Sequence, residues 1–379
     1  MVIENNMHKP IVSVLMPSLN VIDYIDECIL SVINQSLQDI EIICIDAGST
    51  DGTLGVLEKY AQIDKRIRVI HSPIKSYGYQ MNLGLELATG EYIGIVETDD
   101  RIKKDMFENL YHYAEMSDLD IVFSNCYYMT GNKDNYRLHY TEINKDRYHI
   151  PYKTIQNPSH NLYVFAGATF IWNGLYKSEL IKKNSIRFNE TPGASYQDNG
   201  FWFMTICNAQ RVMFIEDAYY LLRRDNPNSS VKSKDKVYFI CNEYDFIRDQ
   251  LHRLGEKGET FIPACEHARM RNYRWNYQRI ADEYKDEFAK RVLSDYRKAK
   301  ELGEIDKALF SDDLWDSLII IDESLVAYKA YMKKCHIIKH LERKIEREEA
   351  RIKKLTEIKR EYENTILFKI KRRLRTMIR

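Results

Sequence analysis

The chain has 379 residues, of which 44% are hydrophobic, and it carries 56 Lys and Arg against 56 Asp and Glu. This length fits two domains, or one large domain with an appendage, and the hydrophobic content is enough for a packed core rather than wholesale disorder. A balanced charge argues against a protein that coats nucleic acid, so no nucleic-acid partner is expected.

The first part of the chain alternates between short apolar runs and amphipathic helical patterns. Strands are predicted at residues 11–16, 41–46, 67–71, 91–96 and 121–125. Between the first two strands, apolar residues at i, i+4, i+7 and i+8 indicate one face of a helix. This alternation is typical of an α/β fold, in which helices cover both faces of a mostly parallel sheet.

The pattern changes twice further along the chain. Residues 130–160 are polar and rich in Tyr, and are predicted to form a long excursion over the sheet. Mixed short strands and helices then continue, so we predict one domain over residues 1–232. Glycine becomes rare beyond this point, and residues 233–334 are predicted to form a mainly helical region.

A heptad pattern marks residues 335–379 as a third segment. Ile338, Leu341, Ile345, Ile352 and Leu355 belong to a series of alternating three- and four-residue steps flanked by Glu, Lys and Arg. Such a stripe predicts a coiled coil, for which a second copy of the chain is the simplest partner, giving a homodimer. A long amphipathic helix packed on its own domain is the alternative.

The final residues, 364–379, combine basic and apolar side chains. They contain Lys369, Lys371, Arg372, Arg373, Arg375 and Arg379 and no acid. A basic amphipathic segment of this kind suits an anionic membrane surface, whereas the alternative is a solvated chain end. The sequence therefore allows peripheral association with the inner face of the cell membrane.

The cysteines and the hydropathy pattern indicate the compartment. The chain has seven Cys without CxxC spacing, which argues against a disulfide framework or a zinc ribbon and favours a reducing environment. The first ten residues lack the apolar stretch of a secretory signal, and no apolar run reaches the roughly 18 residues of a membrane span. These features predict a soluble, cytoplasmic protein.

Polar clusters follow three of the predicted strands. They lie at residues 17–20, 46–49 and 97–100. Because ligands of open parallel sheets bind beyond the carboxyl ends of the strands, three such clusters suggest one shared crevice.

The third cluster is the most acidic of these. Glu97, Asp99 and Asp100 would repel one another without a cation, and hard oxygen ligands suit Mg²⁺ or Mn²⁺. An acidic turn or helix cap in solvent is the alternative. The chain has no Walker A motif and no GxGxxG, so a metal ion is the expected means of holding phosphate.

Four segments resemble a known family in their order and spacing. IVSVLMPSLN, IICIDAGSTDGT, GYQMNLGLELATGEYIGIVETDD and SYQDNGFW are similar to the successive motifs of family 2 glycosyltransferases with the GT-A fold. The resemblance is strong over residues 10–125, extends to about residue 230 and fades in the helical region.

The resemblance implies an inverting, metal-dependent hexosyl- or N-acetylhexosaminyltransferase. The donor would be a nucleotide-diphosphate sugar, with UDP as the expected nucleotide. The acceptor would be a hydroxyl of a glycan, glycoprotein or lipid-linked molecule, in the synthesis of surface polysaccharide or glycoconjugate.

The resemblance also implies which residues bind the donor. The metal ion, Mn²⁺ or Mg²⁺, is expected on Asp99 and Asp100. Ala47 stands where the family usually has a second acid, which removes one contact to the base or ribose. The residues expected at the nucleotide-sugar are Pro17, Ser18, Asn20, Asp46, Gly78, Tyr79, Asn82, Glu97, Thr98, Asp99 and Arg224.

Asp198, in SYQDNGFW, matches the position of the family's catalytic base. An inverting transfer needs a carboxylate that takes the proton of the acceptor hydroxyl as this attacks the anomeric carbon. The alternative for Asp198 is a helix N-cap.

Two other functions are compatible with parts of the sequence. A nucleotidyltransferase uses a similar sheet, but PSLNVIDY lacks the Gly-rich basic loop expected after its first strand. A scaffold for a membrane assembly, with a degenerate transferase domain, would use the coiled coil and the basic tail. The acids at 97, 99, 100 and 198 argue against such degeneration.

Overall fold

The structure is a computed structural model that describes residues 9–133, 135–143 and 150–377. In the last helix the side chains of 339, 343, 346, 347, 350, 368 and 371–377 are outside the description. The chain forms two compact units, Met1–Ser311 and Asp312–Arg379.

The amino-terminal part of the first unit alternates strands and helices as predicted. Its elements are β1 (Val12–Ser18), α1 (Ile22–Ile33), β2 (Ile40–Asp46), α2 (Thr53–Ile63), β3 (Ile67–His71), α3 (Tyr77–Leu87) and β4 (Tyr92–Ile95). The four strands pair in parallel in the order β3-β2-β1-β4. Ile25, Ile29 and Val32 of α1 are fully buried, which confirms the predicted apolar face of this helix.

The sheet continues with strands that come later in the chain. The elements are β5 (Arg101–Ile102), α4 (Met106–Met116), β6 (Ile121–Thr130), β7 (Arg137–Thr141), β8 (Gly174–Lys177), α5 (Ser178–Lys183), α6 (Gln197–Asn208) and β9 (Val212–Arg223). Strand β8 joins β4 to β6 with antiparallel pairing, and β9 runs parallel to β6. The described strands form one sheet with the order β3-β2-β1-β4-β8-β6-β9-β5, which is mixed as a whole. The predicted α/β fold class is confirmed.

The predicted excursion at residues 130–160 contains a strand that sequence analysis missed. Strand β7 pairs antiparallel with β6, with Thr141 opposite Cys126. Its residues Arg137 to Tyr140 are exposed, so no face of the strand carries an apolar period of two. The residues 144–149 lie outside the described part of the chain.

Helices follow the sheet in the first unit, as predicted. They are α7 (Phe239–Arg253), α8 (Glu256–Glu259), α9 (Ile262–Arg279) and α10 (Lys285–Glu301). Helix α7 packs against both α6 and α9. Tyr244, Tyr273 and Phe288 are almost fully buried there, so the helices share a core of large aromatic side chains.

The second unit consists of α11 (Asp312–Glu323) and α12 (Leu325–Met377). Tyr328 and Met332, in the first turns of α12, are buried. Ile338, Leu341, Ile345, Ile352 and Leu355 are each at least half exposed, so these members of the predicted apolar stripe lie on the surface of the helix, with Glu348 between the third and the fourth. The coiled coil itself remains a prediction, and most side chains of the basic tail lie outside the description. None of the described helices is long and apolar enough to cross a membrane.

Candidate functional site

The crevice lies where β1, β2 and β4 end. The pairing of β1 with β2 places Ser18 beside Asp46. The buried amide of Gln80 donates to the carbonyl oxygens of Ser18 (3.0 Å) and Ile45 (2.7 Å). These bonds hold the two strand ends together from the α3 side.

Thr98 connects the third polar cluster to the same edge. Its hydroxyl donates to the carbonyl oxygen of Pro17 over 2.7 Å, and the side chain is buried. Pro17, Ser18 and Thr98 therefore form one wall, as the sequence predicted for clusters that follow neighbouring strands.

Two buried oxygen atoms in this wall lack partners among the described residues. They are Oγ of Ser18 and Oδ1 of Asp46. The other carboxylate oxygen of Asp46 accepts hydrogen bonds from the amides of Gly48 (2.8 Å) and Ser49 (2.9 Å). Because unpaired buried polar atoms are costly, two of them side by side indicate a place for a ligand with N–H or O–H groups.

Asn20 fixes the loop next to this pair. Its backbone has φ of 53°, in the left-handed region that Asn tolerates better than most residues. The Asn20 amide donates to the hydroxyl of Ser49 (2.9 Å), and its side-chain oxygen accepts from the Thr50 amide (2.9 Å). The loops after β1 and β2 thus hold each other in place.

The acidic cluster differs from residue to residue in its bonding. Both carboxylate oxygens of Asp100, which is 1% exposed, accept hydrogen bonds: one from the Arg223 amide (2.6 Å) and one from the Tyr220 hydroxyl (2.9 Å). Asp99 is half-buried, and its Oδ2 accepts from the Asn226 side chain (2.7 Å). Both carboxylate oxygens of Asp100 therefore bond to residues of β9, whereas Asp99 is the more exposed of the two acids.

Glu97, the first acid of the cluster, contacts α3. Its Oε1 accepts a hydrogen bond from the Tyr77 hydroxyl over 2.6 Å. Burial raises the pKa of Glu97 to about 8, and the negative charges of Asp99 and Asp198 contribute to the rise. Burial, followed by the charge of Asp99, also raises the pKa of Asp100 well above its usual range. The raised pKa values favour the protonated forms of Glu97 and Asp100 when no cation is bound beside them.

The described parts of the chain contain no group of three or more His, Cys, Asp or Glu arranged to hold a metal ion. A protein cage for a metal is therefore not part of this crevice as described. Magnesium-type ions are commonly held by one or two carboxylates together with substrate phosphates and water, and a lone half-buried Asp99 fits that kind of site.

Asp198 lies in the first turn of α6. The residue that precedes this turn by one position, Tyr196, has φ of 68°, a conformation uncommon for a residue other than glycine and often found at functional sites. The Oδ1 atom of Asp198 accepts from the backbone (3.1 Å) and side chain (3.0 Å) of Asn199. Burial raises the pKa of Asp198 to about 6, close to the value expected of a general base at neutral pH.

Comparison with known proteins now gives the family. The family model for glycosyl transferase family 2 matches residues 13–173. GlyG, a glycosyltransferase of Streptococcus pneumoniae, is 32% identical over 56% of this chain and 71% of its own length. The chain belongs to glycosyltransferase family 2.

One further relative and one solved structure show how much of the chain is matched. EpsJ of Bacillus subtilis, an uncharacterized glycosyltransferase, is 33% identical over 58% of this chain, which spans 62% of the length of EpsJ. The crystal structure of residues 1–349 of S. aureus TarS has a TM-score of 0.62 and 20% identity, and covers 86% of this chain and 91% of its own. At this identity, the similarity to TarS concerns the fold.

Glu243 of the glycosyltransferase is a site residue that sequence analysis missed. It is 1% exposed, and its carboxylate accepts from the Gly200 amide in α6 (3.0 Å) and from the Asn189 side chain (3.0 Å). A Cβ at Gly200 would lie 2.3 Å from Oε1 of Glu243, so a larger residue there would displace this carboxylate. Burial raises the pKa of Glu243 to about 8, and the charge of Asp198 adds to this. Glu243 therefore anchors the helix turn that carries Asp198.

Gly78 and Asn82, expected at the nucleotide, pack against the segment that precedes α6. A Cβ at Gly78 would lie 1.9 Å from the carbonyl oxygen of Asn189. The Asn82 side chain donates to the carbonyl oxygen of Phe188 (3.0 Å) and accepts from its amide (2.8 Å). Tyr79 is half-buried, and its amide donates to Oγ of the N-cap Ser76 (3.2 Å). These contacts hold α3 in place, and a role of the three residues at the nucleotide stays a prediction.

Arg224 is placed differently from its neighbour Arg223. The Arg224 guanidinium lies 5.0 Å from the ring centroid of Tyr128, and its described contacts are with β6 rather than with the acids. Arg223 points the other way, as successive strand residues do, and donates to the carbonyl oxygen of Asp99 (2.9 Å). The sequence predicted Arg224 at the nucleotide-sugar, and this stays a prediction.

Proposed function

We propose that this family 2 glycosyltransferase moves a hexosyl or N-acetylhexosaminyl group, with inversion, from a UDP-sugar to a hydroxyl acceptor. The observation that carries the proposal is the position of Asp198. This carboxylate, with its pKa near 6, contributes to the raised pKa of Glu97 and so lies close to the acidic cluster at the strand ends.

The nucleotide is assigned to the wall formed by β1 and β2. The unpaired Oγ of Ser18 and Oδ1 of Asp46 are acceptors for the N–H or O–H groups of a base and ribose. TarS, which shares the fold, has been crystallised with UDP and with UDP-GlcNAc, and this supports UDP as the nucleotide here. Ala47, which is buried beside Asp46, provides no second carboxylate for the ribose.

A divalent ion, Mn²⁺ or Mg²⁺, is assigned to Asp99 together with the donor diphosphate. When bound, it would stabilise the negative charge that develops on the leaving diphosphate. Asp100 is assigned a positioning role, because both of its oxygens are occupied by Tyr220 and Arg223. Thr98 and Glu97 complete the support of Asp99, by fixing the turn to Pro17 and to Tyr77.

Asp198 is assigned as the general base. The acceptor oxygen attacks the anomeric carbon from the face opposite the diphosphate, a C–O bond forms as the sugar–phosphate bond breaks, and the hydroxyl proton passes to Asp198. The hydrogen bonds from Asn199 orient the carboxylate, and Glu243 holds the turn in place.

The test is hydrolysis and binding across a panel of nucleotide sugars. Thermal shift with Mn²⁺ should show stabilisation by UDP-sugars, and slow release of UDP from one of them should depend on the metal and stop in EDTA. In Asp99→Asn, both the metal-dependent shift and the hydrolysis should be lost. Pyrophosphate release from a nucleoside triphosphate would indicate a nucleotidyltransferase instead. Full hydrolysis in EDTA would refute the role of the metal.

The acceptor is assigned to glycans, glycoproteins or lipid-linked saccharides of the cell surface. The second unit would bring the enzyme close to such an acceptor. We propose that the exposed stripe of α12 pairs with a second copy of the chain, since a stripe this narrow suits a partner helix. Two basic tails would then lie together and favour an anionic membrane.

Sedimentation and vesicle binding test this part of the proposal. The full-length chain should sediment as a dimer and bind anionic vesicles in a salt-sensitive way. Ile345→Glu and Leu355→Glu should yield monomers, whereas Glu357→Gln, an exposed residue off the stripe, should not. A wild-type monomer that ignores anionic vesicles would contradict the proposal.

A further inference from the structure

Helix α9 passes beside the turn that carries Asp198. Asn272 donates to the side-chain oxygen of Asn199 (3.3 Å), which itself holds Asp198. One turn later, Asn276 accepts from the Tyr196 hydroxyl (2.7 Å). The carboxyl-terminal half of α9 therefore lies against the turn that carries Asp198.

Two cations lie at this end of α9, and neither forms an ion pair with a described acid. The Arg279 guanidinium lies 5.0 Å from the Tyr196 ring centroid, and the Lys236 ammonium donates to the carbonyl oxygen of Ala194 (2.5 Å). The two side chains are close, because Arg279 also donates to the carbonyl oxygen of Lys236 (3.3 Å). No carboxylate of the described residues lies within ion-pair distance of either; the acid they sense electrostatically is Asp235.

Other arginines of the helical region, unlike Arg279, form ion pairs with acids. Arg269 pairs with Asp295 (2.5 Å), and Arg291 pairs with Asp245 (2.9 Å). Arg279, by contrast, keeps a buried Nε without a hydrogen-bond partner in the described chain. Burial lowers the pKa of Arg279, and burial together with the charge of Arg279 lowers that of Lys236. Lys236 and Arg279 are therefore two neighbouring cations that form no ion pair with a described carboxylate.

An aromatic ring stands next to the cations. Trp275 is 44% exposed, although it lies edge-to-face with Tyr196 at 6.0 Å and near the Arg279 guanidinium at 5.3 Å. An exposed indole held in one orientation is a suitable surface for the C–H face of a sugar or polyol. Cations beside such a ring match a ligand that is both polyhydroxylated and anionic.

We propose that Lys236 and Arg279 bind a phosphate or carboxylate of the acceptor, with Trp275 against the adjoining sugar or polyol. This rests on the proposed function, because it assumes that Asp198 faces the acceptor. The reacting hydroxyl would then belong to a molecule that carries its negative charge within a few bonds, such as a phosphopolyol, an acidic glycan or a saccharide linked through phosphate.

The probe is glycerol 3-phosphate, with glycerol as its neutral match. Both are titrated into the full-length protein that already holds saturating UDP and Mn²⁺, so that the donor site is filled, and binding is followed by ligand-observed NMR. Glycerol 3-phosphate should bind and glycerol should not. Lys236→Gln and Arg279→Gln should each weaken binding about tenfold or more, the usual effect of losing a charge-assisted hydrogen bond.

Controls separate charge from folding. Arg279→Lys should retain part of the affinity, and Arg253→Gln, which removes an exposed charge from the end of α7, should leave it unchanged. The affinity for UDP, measured separately, should be the same in Lys236→Gln and in the wild type.

Three results would overturn the proposal. One is the absence of phosphate binding to the UDP-loaded protein, another is equal binding in all variants, and the third is a matching loss of UDP affinity in Lys236→Gln, which would assign the cations to the donor diphosphate. Failure of the proposed function is seen separately: binding of both ligands without hydrolysis of any UDP-sugar would contradict transfer while leaving the anion site in place.

Discussion

The acidic crevice and the network between α7, α9 and α10 both hold charged side chains away from water, but they balance charge in different ways. In the network, Arg248 pairs with Glu304 (2.9 Å) and with the fully buried Glu266, and Arg291 with Asp295 (2.7 Å). In the crevice, by contrast, Glu97, Asp99, Asp100 and Asp198 are all acids, so their charges have the same sign.

The acids of the network are therefore balanced by arginines of the protein itself, whereas the acids of the crevice could be balanced by a bound ligand. Burial also raises the pKa of Glu266, but the charges of Arg269 and Arg248 oppose that rise. In the crevice no arginine charge among the described residues opposes it: burial and like charges raise the pKa of Glu97 to about 8, and burial raises that of Asp198 to about 6. Strongly shifted groups in a cleft are candidates for function, while paired groups stabilise the structure. The following predictions test this separation.

Asp198→Asn should have the largest effect on catalysis. It keeps the size of the side chain and removes its affinity for the proton, so kcat should fall about 10²–10⁴-fold. UDP affinity and melting temperature should stay near the wild-type values, because the proposed function places the acceptor, not the nucleotide, at this carboxylate. The check is steady-state transfer together with calorimetric binding of UDP. Unchanged kcat with a collapse of donor affinity would make Asp198 a nucleotide contact.

Arg269→Met should have the largest effect on stability. Arg269 contacts Asp245 (3.2 Å), Glu266 (3.4 Å) and Asp295 (2.5 Å), and Glu266 is fully buried. Without Arg269, Glu266 keeps only Arg248, and Asp245 and Asp295 share Arg291, so the loss should approach the roughly 3–5 kcal/mol typical of a broken buried pair. Urea unfolding measures the loss, and kcat of the folded protein should be close to that of the wild type. A large fall in kcat without a loss of stability would place the network in catalysis.

Asp100→Asn should lower stability, in contrast to Asp99→Asn. The Arg223 amide and the Tyr220 hydroxyl both donate to the Asp100 carboxylate, and an amide nitrogen in place of one oxygen would face a donor. The expected loss is about 1–3 kcal/mol in the free energy of unfolding. Asp99→Asn should unfold like the wild type while losing the response to Mn²⁺. If both variants were equally stable and equally inactive, the two acids would share the metal role.

Much of this arrangement was predictable from local sequence. Strands β1, β2 and β4 are buried on both faces, so they appear as continuous apolar runs, and the polar residues that follow them are near one another because parallel strands end at one edge. The roles of Ser18, Asp46 and Asp99 as crevice residues could therefore be anticipated from their place after strands.

The remaining features depend on contacts between distant parts of the chain. Asp100 differs from Asp99 because Tyr220 and Arg223, more than 100 residues later, bond to one and leave the other nearer the opening. Glu243 is one of many acids on charged helices, and only its contact with Gly200 distinguishes it. Gly78 matched a family motif, but its small size serves the Asn189 backbone.

Glu97→Gln should alter the pH dependence of stability. The pKa of Glu97 in the folded protein, about 8, lies above its ordinary value of 4.5, so between these values the folded state binds more protons than the unfolded state and stability falls as pH rises. Gln carries no such cost. The variant should match the wild type near pH 5 and exceed it by on the order of 1–2 kcal/mol near pH 8.5.

The readout is urea unfolding across this pH range without metal. A shallower slope, rather than a flat one, is expected for Glu97→Gln, because burial raises the pKa of Glu243 to about 8 as well. An unchanged slope would mean that Glu97 ionises freely in the folded protein, and the contrast between crevice and network would then rest on Asp100 and Asp198 alone.

Lys290→Ala should have the smallest effect and sets the scale for the others. Lys290 and Glu287 are 2.7 Å apart on α10, but their side chains are 60% and 65% exposed. On the same helix, the pair formed by Arg291 and Asp295 has the same length and is 33% and 12% exposed. Exposed pairs contribute about 0.2–1 kcal/mol or less because water and salt screen them. Lys290→Ala should therefore leave the free energy of unfolding near its wild-type value, whereas Arg291→Ala should lower it measurably. Equal losses in the two variants would show that exposure does not determine what an ion pair on α10 contributes, and the contrast between paired and unpaired buried charge would lose its basis.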